Sequence, residues 1–306
     1  MNEQKVTLKV ENVTKQYGDF TAVDDLSFDV RAGRVFGFLG PNGAGKTTTI
    51  RMIVGIISPD AGSIELFGRK FSGKLQDRIG YLPEERGLYR KMKIYEQLRY
   101  FAALKDIPQK VADERMDFWL ERMELSKWKK KKASDLSKGM QQKIQFISTV
   151  LHEPDLLILD EPFSGLDPIN VETLLDVISE LKAKGKTIIF STHLMETAEK
   201  LCDDIILLNR SRKIVGGSLR EVKESFDKNM VALRCVGGES VLEDKTLVEK
   251  ITSHADEREV LLAPDADAQQ LLKNLIQNGA TVTKFELIEP SLNDIFLEAV
   301  KESQNN

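Results

Sequence analysis

The stretch GPNGAGKT at residues 40–47 restricts the possible folds of this chain more than any other feature, because it matches the pattern G-x-x-x-x-G-K-[ST]. The apolar run VFGFL precedes it, and TTTIRMIVG, which we predict to be helical, begins at its last residue. Glycines let backbone N–H groups curl around phosphate oxygens, and a helix that begins there adds positive potential. In this motif Lys46 reaches the β- and γ-phosphates, and the Thr47 hydroxyl is a ligand of Mg²⁺. The stretch therefore predicts a phosphate-binding loop between a strand and a helix.

A second apolar run ends in two carboxylates and supplies the other half of a nucleotide site. Residues 156–159 are apolar, and Asp160 and Glu161 follow them directly. Successive side chains at a strand end point in different directions. We therefore expect Asp160 to hold Mg²⁺, usually through water, and Glu161 to act as the general base for the attacking water. A simple strand cap and turn is the alternative; it explains Pro162 but not the pairing with a phosphate loop.

The spacing of apolar residues predicts an α/β fold with an inserted helical segment. RVFGFLG, LLILDEP and TIIFSTH lack polar alternation, which is typical of strands in parallel sheets that helices cover on both faces. Residues 95–150 place apolar side chains three and four positions apart, and we interpret them as a helical subdomain. The lysine-rich run at residues 127–132 is interpreted as a solvated helix end or loop.

Charge divides the chain into two parts and argues against nucleic acid as a partner. The 44 Lys and Arg residues nearly balance the 48 Asp and Glu residues, for a formal charge of −4. Residues 1–225 carry 36 basic and 33 acidic side chains, whereas residues 226–306 carry 8 and 15. The second part contains the strand-like NMVALRCV, EVLLA and TVTKFEL around the helix-like DAQQLLKNLIQNG. We predict a domain at residues 1–225 and a small acidic α+β domain at residues 226–306.

Cysteine content and hydropathy limit the cellular setting. Cys202 and Cys235 are the only cysteines, and they lack CxxC spacing. We therefore expect neither a disulfide framework nor a zinc cluster. We also expect the protein to lie in a reducing compartment. The N-terminus does not resemble a secretory signal. The apolar runs are far shorter than the roughly 20 residues that cross a bilayer. If the chain works at a membrane, we expect another polypeptide to hold it there.

Four further motifs, in a fixed order, carry a resemblance to the ATP-binding-cassette (ABC) ATPases. LSKGMQQK at residues 136–143 stands where the LSGGQ signature of that family lies, and SGLD at residues 164–167 is similar to its D-loop. His193 in FSTHLME resembles the switch histidine, and Tyr17 in KQYGDFTAVDDLSF resembles the aromatic residue that stacks on adenine. The resemblance covers roughly residues 6–216.

This resemblance implies a fold, a site and an assembly. The fold is a P-loop NTPase cassette, with a RecA-like parallel-sheet core, an antiparallel β part and an inserted helical subdomain, followed here by the small α+β domain. In the family two cassettes meet head to tail, and the signature of one closes over the ATP of the other. The resemblance assigns catalysis to Lys46, Glu161 and His193, and Mg²⁺ to Thr47, Glu84 and Asp160. It assigns ATP binding to Tyr17, Gly40, Pro41, Asn42, Gly43, Ala44, Gly45, Lys46, Thr47, Thr48, Glu84, Ser137, Lys138, Gly139, Met140 and Asp167.

Two motifs depart from the usual pattern of the family. Glu84 replaces the glutamine of the Q-loop. A carboxylate can also bind Mg²⁺, so we expect the metal contact to be kept. The signature reads LSKGM, but Ser137 precedes a helix-like stretch, so its hydroxyl and the next amides still form an anion site at a helix start. We expect activity to be retained. His152 and His254 lack comparable context and are interpreted as structural.

The expected function is ATP hydrolysis that drives transport through separate membrane-spanning subunits. GYLPEERGLY, LSKGMQQKIQF and EPSLNDIFLEAV resemble the bacterial exporter ATPases of the sodium-efflux NatA type. The resemblance implies a homodimer or heterodimer bound to integral membrane permeases at the cytoplasmic face of a bacterial membrane. Two alternatives remain: a non-transport cassette ATPase of translation or DNA repair, and a module that binds ATP without hydrolysing it. The cargo is left open.

Overall fold

Three apolar runs that are buried at every position form neighbouring strands at the centre of the molecule. They are Val35–Leu39, Leu156–Asp160 and Thr187–Thr192, and they pair in parallel. Parallel strands without polar alternation are stable only when both faces are covered, which explains the helices around them. The structure is a computed structural model. It describes residues 5–70, 73–85, 87–226, 230–254, 257–264 and 266–305, of which 74, 254 and 302–305 by their backbone alone.

The described residues form the following strands and helices, apart from three short 3-10 turns. The strands are β1 (Val6–Tyr17), β2 (Phe20–Arg31), β3 (Val35–Leu39), β4 (Ala61–Leu66), β5 (Arg69–Lys70), β6 (Ile79–Leu82), β7 (Leu156–Asp160), β8 (Thr187–Thr192), β9 (Asp204–Asn209), β10 (Arg212–Ser218), β11 (Met230–Val236), β12 (Val248–His254), β13 (Glu257–Leu262) and β14 (Thr281–Ile288). The helices are α1 (Lys46–Ile53), α2 (Ile94–Ala103), α3 (Gln109–Arg122), α4 (Lys138–Val150), α5 (Pro168–Ala183), α6 (Met195–Leu201), α7 (Leu219–Ser225), α8 (Glu239–Leu242), α9 (Ala268–Gln277) and α10 (Leu292–Asn305).

The first compact unit, residues 1–218, contains two sheets. A six-stranded sheet has the order β10-β9-β3-β8-β7-β6 and is parallel except for the β9–β10 pair. A four-stranded antiparallel sheet has the order β2-β1-β4-β5. Phe28, Phe36 and Phe38 pack with ring centroids 5.1–5.4 Å apart in the core that joins the two sheets. Because β3, β6, β7 and β8 run parallel, their carboxyl ends lie along one edge of the six-stranded sheet.

The predicted helical subdomain is formed by α2, α3 and α4. Arg99 of α2 donates two hydrogen bonds of 2.7 Å to Asp113 of α3, which fixes the two helices against each other. Met116, Trp119 and Phe146 supply buried apolar contact area between α3 and α4. The lysine-rich run at residues 127–132 is half-buried or exposed, in a segment of short turns. The α/β fold with a mostly helical segment between the strands is thus confirmed.

The second compact unit, residues 219–306, contains an antiparallel sheet of order β12-β13-β11-β14. Leu271 and Leu275 of α9 join Val231, Leu233 and Val260 of the sheet in one apolar core. The three predicted strands correspond to β11, β13 and β14, and the predicted helix to α9. The compact units divide after Ser218, so α7 belongs to the second unit, whereas the sequence-based boundary follows residue 225.

Two further findings concern thiols and hydropathy. Cys202 and Cys235 are both free. Among the helices of the described ranges, none combines the length and the apolar character that a bilayer span requires.

Candidate functional site

The loop between β3 and α1 is held against two other strands at positions where only glycine fits. Gly40 has φ +143°, and a Cβ atom there would lie 2.2 Å from the carbonyl oxygen of Leu208 in β9. Gly45 has φ +102°, and its Cβ would lie 2.5 Å from the carbonyl oxygen of Ala22 in β2. A side chain at either position would displace backbone, so glycine is required for this close approach. The loop thereby passes close to β9 and β2 before it enters α1.

Lys46 begins α1 and returns its ammonium group to the loop that precedes it. The residue is 5% exposed, and Nζ donates to the carbonyl oxygens of Gly40 at 2.8 Å and Pro41 at 3.2 Å. Nζ also lies 3.4 Å from Oε1 of Glu161. A buried ammonium beside the first amides of a helix is an arrangement that binds phosphate oxygens.

Asp160 is the last residue of β7 and is fully buried. Its Oδ1 accepts hydrogen bonds from the hydroxyls of Ser191 at 2.5 Å and Thr47 at 3.2 Å. Burial raises the pKa of this carboxyl group, and the two hydroxyl donors oppose that shift. Within the described part of the chain, Oδ2 has no hydrogen-bond partner. Asp160 thus keeps one oxygen for a ligand.

Glu161 turns away from Asp160 because its backbone adopts the left-handed region. Its φ is +48°, which is strained for a residue with a side chain, and its N–H donates to Oγ of Ser191 at 2.9 Å. Oε2 lies 3.1 Å from Nδ1 of His193, while Oε1 faces Lys46. The two adjacent acids therefore serve different neighbours. Strain held in place at such a position is typical of functional sites.

Ser191 is a site residue that the sequence prediction did not include. It is fully buried at the end of β8, between the two acids, and it bonds to both of them. A signal was present, since Ser191 and Thr192 end an otherwise apolar run. Ser191 lies opposite Asp160 on the neighbouring strand, and this register follows only from the pairing of β7 with β8.

The signature and D-loop segments each begin a helix. Ser137 precedes α4, and its Oγ accepts a hydrogen bond from the N–H of Met140 at 3.2 Å. Asp167 precedes α5 and accepts from Asn170, whose hydrogen bonds lower the pKa of the Asp167 carboxyl group. A Cβ at Gly139 would lie 3.5 Å from the carbonyl oxygen of Gly165, so the two segments are neighbours.

The remaining predicted residues differ in their exposure. Tyr17 ends β1 and is half exposed, with Nζ of Lys15 5.6 Å from the ring centroid. Glu84 is exposed two residues beyond β6. Pro41, Asn42, Gly43 and Lys138 are exposed, Ala44 is buried, and Thr48 is half-buried. Direct contacts join Lys46, Thr47, Asp160, Glu161 and His193, whereas Tyr17, Glu84, Asp167 and residues 137–140 lie outside that set of contacts.

The donor atoms fit a magnesium ion that is bound together with a nucleotide. The free Oδ2 of Asp160 and the hydroxyl of Thr47 are hard oxygen ligands, which Mg²⁺ prefers. In the described ranges, no three His, Cys, Asp or Glu side chains cluster in a way that would hold a metal ion alone. Mg²⁺ usually binds through one or two carboxylates plus substrate phosphates, so this sparse set suits it.

Comparison with known protein families assigns both units. Residues 23–164 match the family model described as ABC transporter. Residues 217–300 match a model described as the C-terminal domain of ATP-binding proteins similar to DrrA1-3.

Named relatives and solved structures agree with these matches. An uncharacterized ABC transporter ATP-binding protein of Bacillus subtilis, YhaQ, is 46% identical over 96% of this chain and 98% of its own length. The Nod factor export ATP-binding protein I of Ralstonia nicotianae is 39% identical over 70% of this chain and 68% of that protein.

The solved ATP-binding subunit of an ABC transporter aligns with 72% of this chain and 93% of its own length, with 34% identity and a TM-score of 0.67. CbiO1 of Clostridium perfringens, part of the ABC transporter complex cbiONQ, aligns with 72% of this chain and 92% of its own, with 28% identity and a TM-score of 0.65. The phosphate-binding loop (P-loop, residues 40–47), the acid pair Asp160 and Glu161, and these matches together confirm the sequence-based resemblance. The chain belongs to the family of ABC transporter ATP-binding subunits.

Proposed function

We propose that this chain hydrolyses ATP with Mg²⁺ and drives export through separate membrane-spanning subunits. The observation that carries the proposal is the contact set at the sheet edge, in which Glu161 lies between Lys46 and His193 while Asp160 bonds to Thr47. In this set Lys46 is the cation that binds phosphate, and Glu161 is the base, which the imidazole of His193 orients. Asp160 and Thr47 provide oxygen ligands for a metal ion. ABC ATP-binding domains are generally ATPases, which supports the coarser part of the proposal.

The proposed reaction uses Glu161 as the general base. Its carboxylate takes a proton from water as the water oxygen bonds to the γ-phosphorus, and the bond from that phosphorus to the β–γ bridging oxygen breaks, releasing ADP and phosphate. Lys46 binds the β- and γ-phosphate oxygens, and His193 orients Glu161 and the water. Asp160 and Thr47 would hold Mg²⁺, which would neutralise charge on the phosphates.

We assign the second half of the site to another copy of a cassette. Ser137 and the amides that follow it begin α4, and helix starts bind anions. Lys138 is exposed and adds positive charge there. ATP then joins two cassettes, as a homodimer or heterodimer, and hydrolysis loosens them because the γ-phosphate is lost.

The names of relatives support the proposed partners and the proposed direction of transport. The Nod factor relative is named an export protein, and the C-terminal match is to a domain of DrrA1-3-like ATP-binding proteins. The cbiO1 protein is described as part of a transporter complex. These names favour transport over translation or DNA repair. We infer integral membrane permeases as partners and the cytoplasmic face of a bacterial membrane as the location.

Glu161→Gln tests the proposal, because it removes the base but keeps the size of the side chain. We expect phosphate release to fall by about 10²-fold or more, the contribution typical of a general base. ATP binding should persist, and the variant should form an ATP-dependent dimer in analytical ultracentrifugation. Glu172→Gln, an exposed position that bonds to Lys200, is the matched control. Normal phosphate release by Glu161→Gln would refute the assignment of the base.

A further inference from the structure

Gln145 of α4 bonds to the carbonyl groups of both neighbours of Glu84. The residue is 4% exposed, and its Nε2 donates to the carbonyl oxygens of Pro83 at 3.2 Å and Glu85 at 3.1 Å. Because both acceptors are carbonyl oxygens, the NH₂ group of the Gln145 side chain must face them; a flipped amide would place its own oxygen against theirs. One buried side chain thereby fixes the backbone around an exposed carboxylate.

The stability of the core does not explain this glutamine. In the part of the chain that the structure describes, its Oε1 has no hydrogen-bond partner, and a buried acceptor without a partner is costly. Leucine would fill a similar volume without that cost. The benefit of the amide therefore lies at its donor end, on the segment at residues 83–85.

The position of that segment matters for the site. β6 pairs in parallel with β7, with Leu82 opposite Leu159, so the chain leaves β6 at the sheet edge where Asp160 lies. Glu84 comes two residues later, and Gln145 bonds α4 to the backbone of its two neighbours, Pro83 and Glu85. Three residues earlier on the same helix, Gln142 donates to the carbonyl oxygen of Pro162, next to Glu161. One helix face thus braces both strand-end loops.

We propose that Gln145 is a positioning residue that sets the Mg²⁺ dependence of ATP hydrolysis through Glu84. The proposal rests on the proposed function and on the family resemblance, which assigns Glu84 to Mg²⁺ along with Thr47 and Asp160. Without the two hydrogen bonds, the segment at residues 83–85 occupies more conformations, and the carboxylate is delivered to the metal less often. Groups that orient metal ligands without touching the metal typically change metal affinity by about 10- to 100-fold when removed.

The test is a Mg²⁺ titration of ATPase activity at saturating ATP with the variant Gln145→Leu. We expect the half-saturating Mg²⁺ concentration to rise about tenfold, while ATP affinity in EDTA stays within about twofold of the wild-type value because the P-loop is untouched. Gln145→Met is measured in parallel, so that a folding defect of the leucine variant does not decide the outcome.

Gln141→Leu is the matched control. Gln141 lies on the same helix, and its Nε2 donates to the carbonyl oxygens of Ala133 at 3.1 Å and Leu136 at 3.0 Å. It therefore makes the same kind of bond pair to a different segment. We expect its loss to leave the half-saturating Mg²⁺ concentration unchanged, which separates positioning of Glu84 from general loosening of α4.

A double-mutant cycle with Glu84→Ala decides between the possible outcomes. In that background Gln145→Leu should cause no further shift in half-saturating Mg²⁺, because the carboxylate that it positions is gone. An equal shift in both backgrounds would overturn the inference, as would folded Gln145 or Glu84 variants with wild-type Mg²⁺ dependence. A wild-type chain without Mg²⁺-dependent ATPase activity would instead refute the proposed function.

Discussion

Ser191 holds both acids of the site through one hydroxyl group. Its Oγ donates to Oδ1 of Asp160 and accepts from the N–H of Glu161. The first bond orients a buried carboxylate, and the second stabilises the left-handed backbone that turns Glu161 toward Lys46 and His193. The direction of the general base therefore depends on a residue that touches neither the phosphates nor the water in the proposed reaction.

Ser191→Ala should separate this role from simple packing. Removal of the hydroxyl leaves the Glu161 N–H buried without an acceptor, so we expect the free energy of unfolding to fall by about 1–3 kcal/mol. We also expect kcat for ATP hydrolysis to fall by about tenfold or more, because Glu161 loses its fixed direction. Urea unfolding and steady-state kinetics measure the two effects. Ser148→Ala, which removes a partly buried hydroxyl bonded within α4, is the control; equal kinetic losses in both variants would contradict the role of Ser191.

Asp160→Asn tests the energetic effect of burying a carboxylate. The folded-state pKa of Asp160 is raised above the unfolded value of about 3.9, because burial disfavours the charged form. The contribution of this carboxyl group to the free energy of unfolding is therefore fully present below about pH 4, where the group is protonated in both states. That contribution is lost as pH rises through the folded-state pKa. Without Mg²⁺ and nucleotide, Asp160→Asn should be more stable than the wild type near pH 8, and the gain should shrink toward pH 4.

The measurement is urea unfolding at several pH values in EDTA. Asp155→Asn, at an exposed carboxylate paired with Arg78, is the control for loss of charge on the surface. A stability difference for Asp160→Asn that does not change with pH would show that the raised pKa of Asp160 is not its source. ATPase activity should be lost in this variant at every pH.

The start of α4 serves the fold and the proposed site with the same atoms. Ser137 caps the helix by accepting a bond from Met140, and its first amides point out of the exposed helix end. Capping requires only an acceptor at this position, whereas the proposed binding of the partner's ATP requires that this acceptor carry no negative charge. Substitutions that preserve the acceptor and change its charge can therefore separate the two roles.

Ser137→Asp should leave the fold intact and prevent ATP-dependent dimerisation. Asp is as good a helix cap as Ser, whereas Ser137→Ala should cost about 1 kcal/mol of stability. The added carboxylate repels the γ-phosphate that we assign to this helix start. Thermal unfolding and ultracentrifugation with ATP, both in the Glu161→Gln background, measure the two effects. Asp267→Ser, the reverse exchange at the cap of α9, is the control; an ATP-bound dimer of Ser137→Asp would contradict the assigned contact.

Sequence patterns predicted elements well where a local physical rule applies. Fully apolar runs gave β3, β7 and β8, and helical spacing gave the segment that contains α2, α3 and α4. β12 and α10 were not predicted, because β12 (VEKITSH) is largely polar and α10 follows a motif that was used only for its resemblance. Ser191 and Gln145 were missed because their partners, Asp160 and Pro83, lie 31 and 62 positions away along the chain. Such contacts depend on which strands pair.

At the scale of the whole molecule, the charge asymmetry does not depend on where the two units are divided. Residues 1–218 carry 34 basic and 31 acidic side chains, and residues 219–306 carry 10 and 17, which gives +3 and −7. Division after residue 225 gives the same two net charges. The family match to the C-terminal domain begins at residue 217, close to the division after Ser218. Two independent criteria thus agree on where the cassette ends.

A chain that ends at Ser218 should fold and bind ATP. The P-loop, the acid pair and the core around Phe36 and Ile158 all belong to the first unit. The solved ATP-binding subunit that aligns with 72% of this chain is matched over 93% of its own length, so a cassette of that size is a complete folding unit. We therefore expect one cooperative unfolding transition, ATP affinity within about threefold of the full chain, and ATP-dependent dimerisation in the Glu161→Gln background.

The matched control for this truncation is a chain that ends at residue 211. It lacks β10, which pairs with β9 along Arg212–Ser218, so β9 becomes an exposed edge next to β3 and the P-loop. We expect that chain to unfold at a lower temperature and to aggregate. Loss of ATP binding in the chain that ends at Ser218 would show that residues 219–306 are required for the nucleotide site. Retained ATP binding without dimerisation would instead assign the contact between subunits to the second unit.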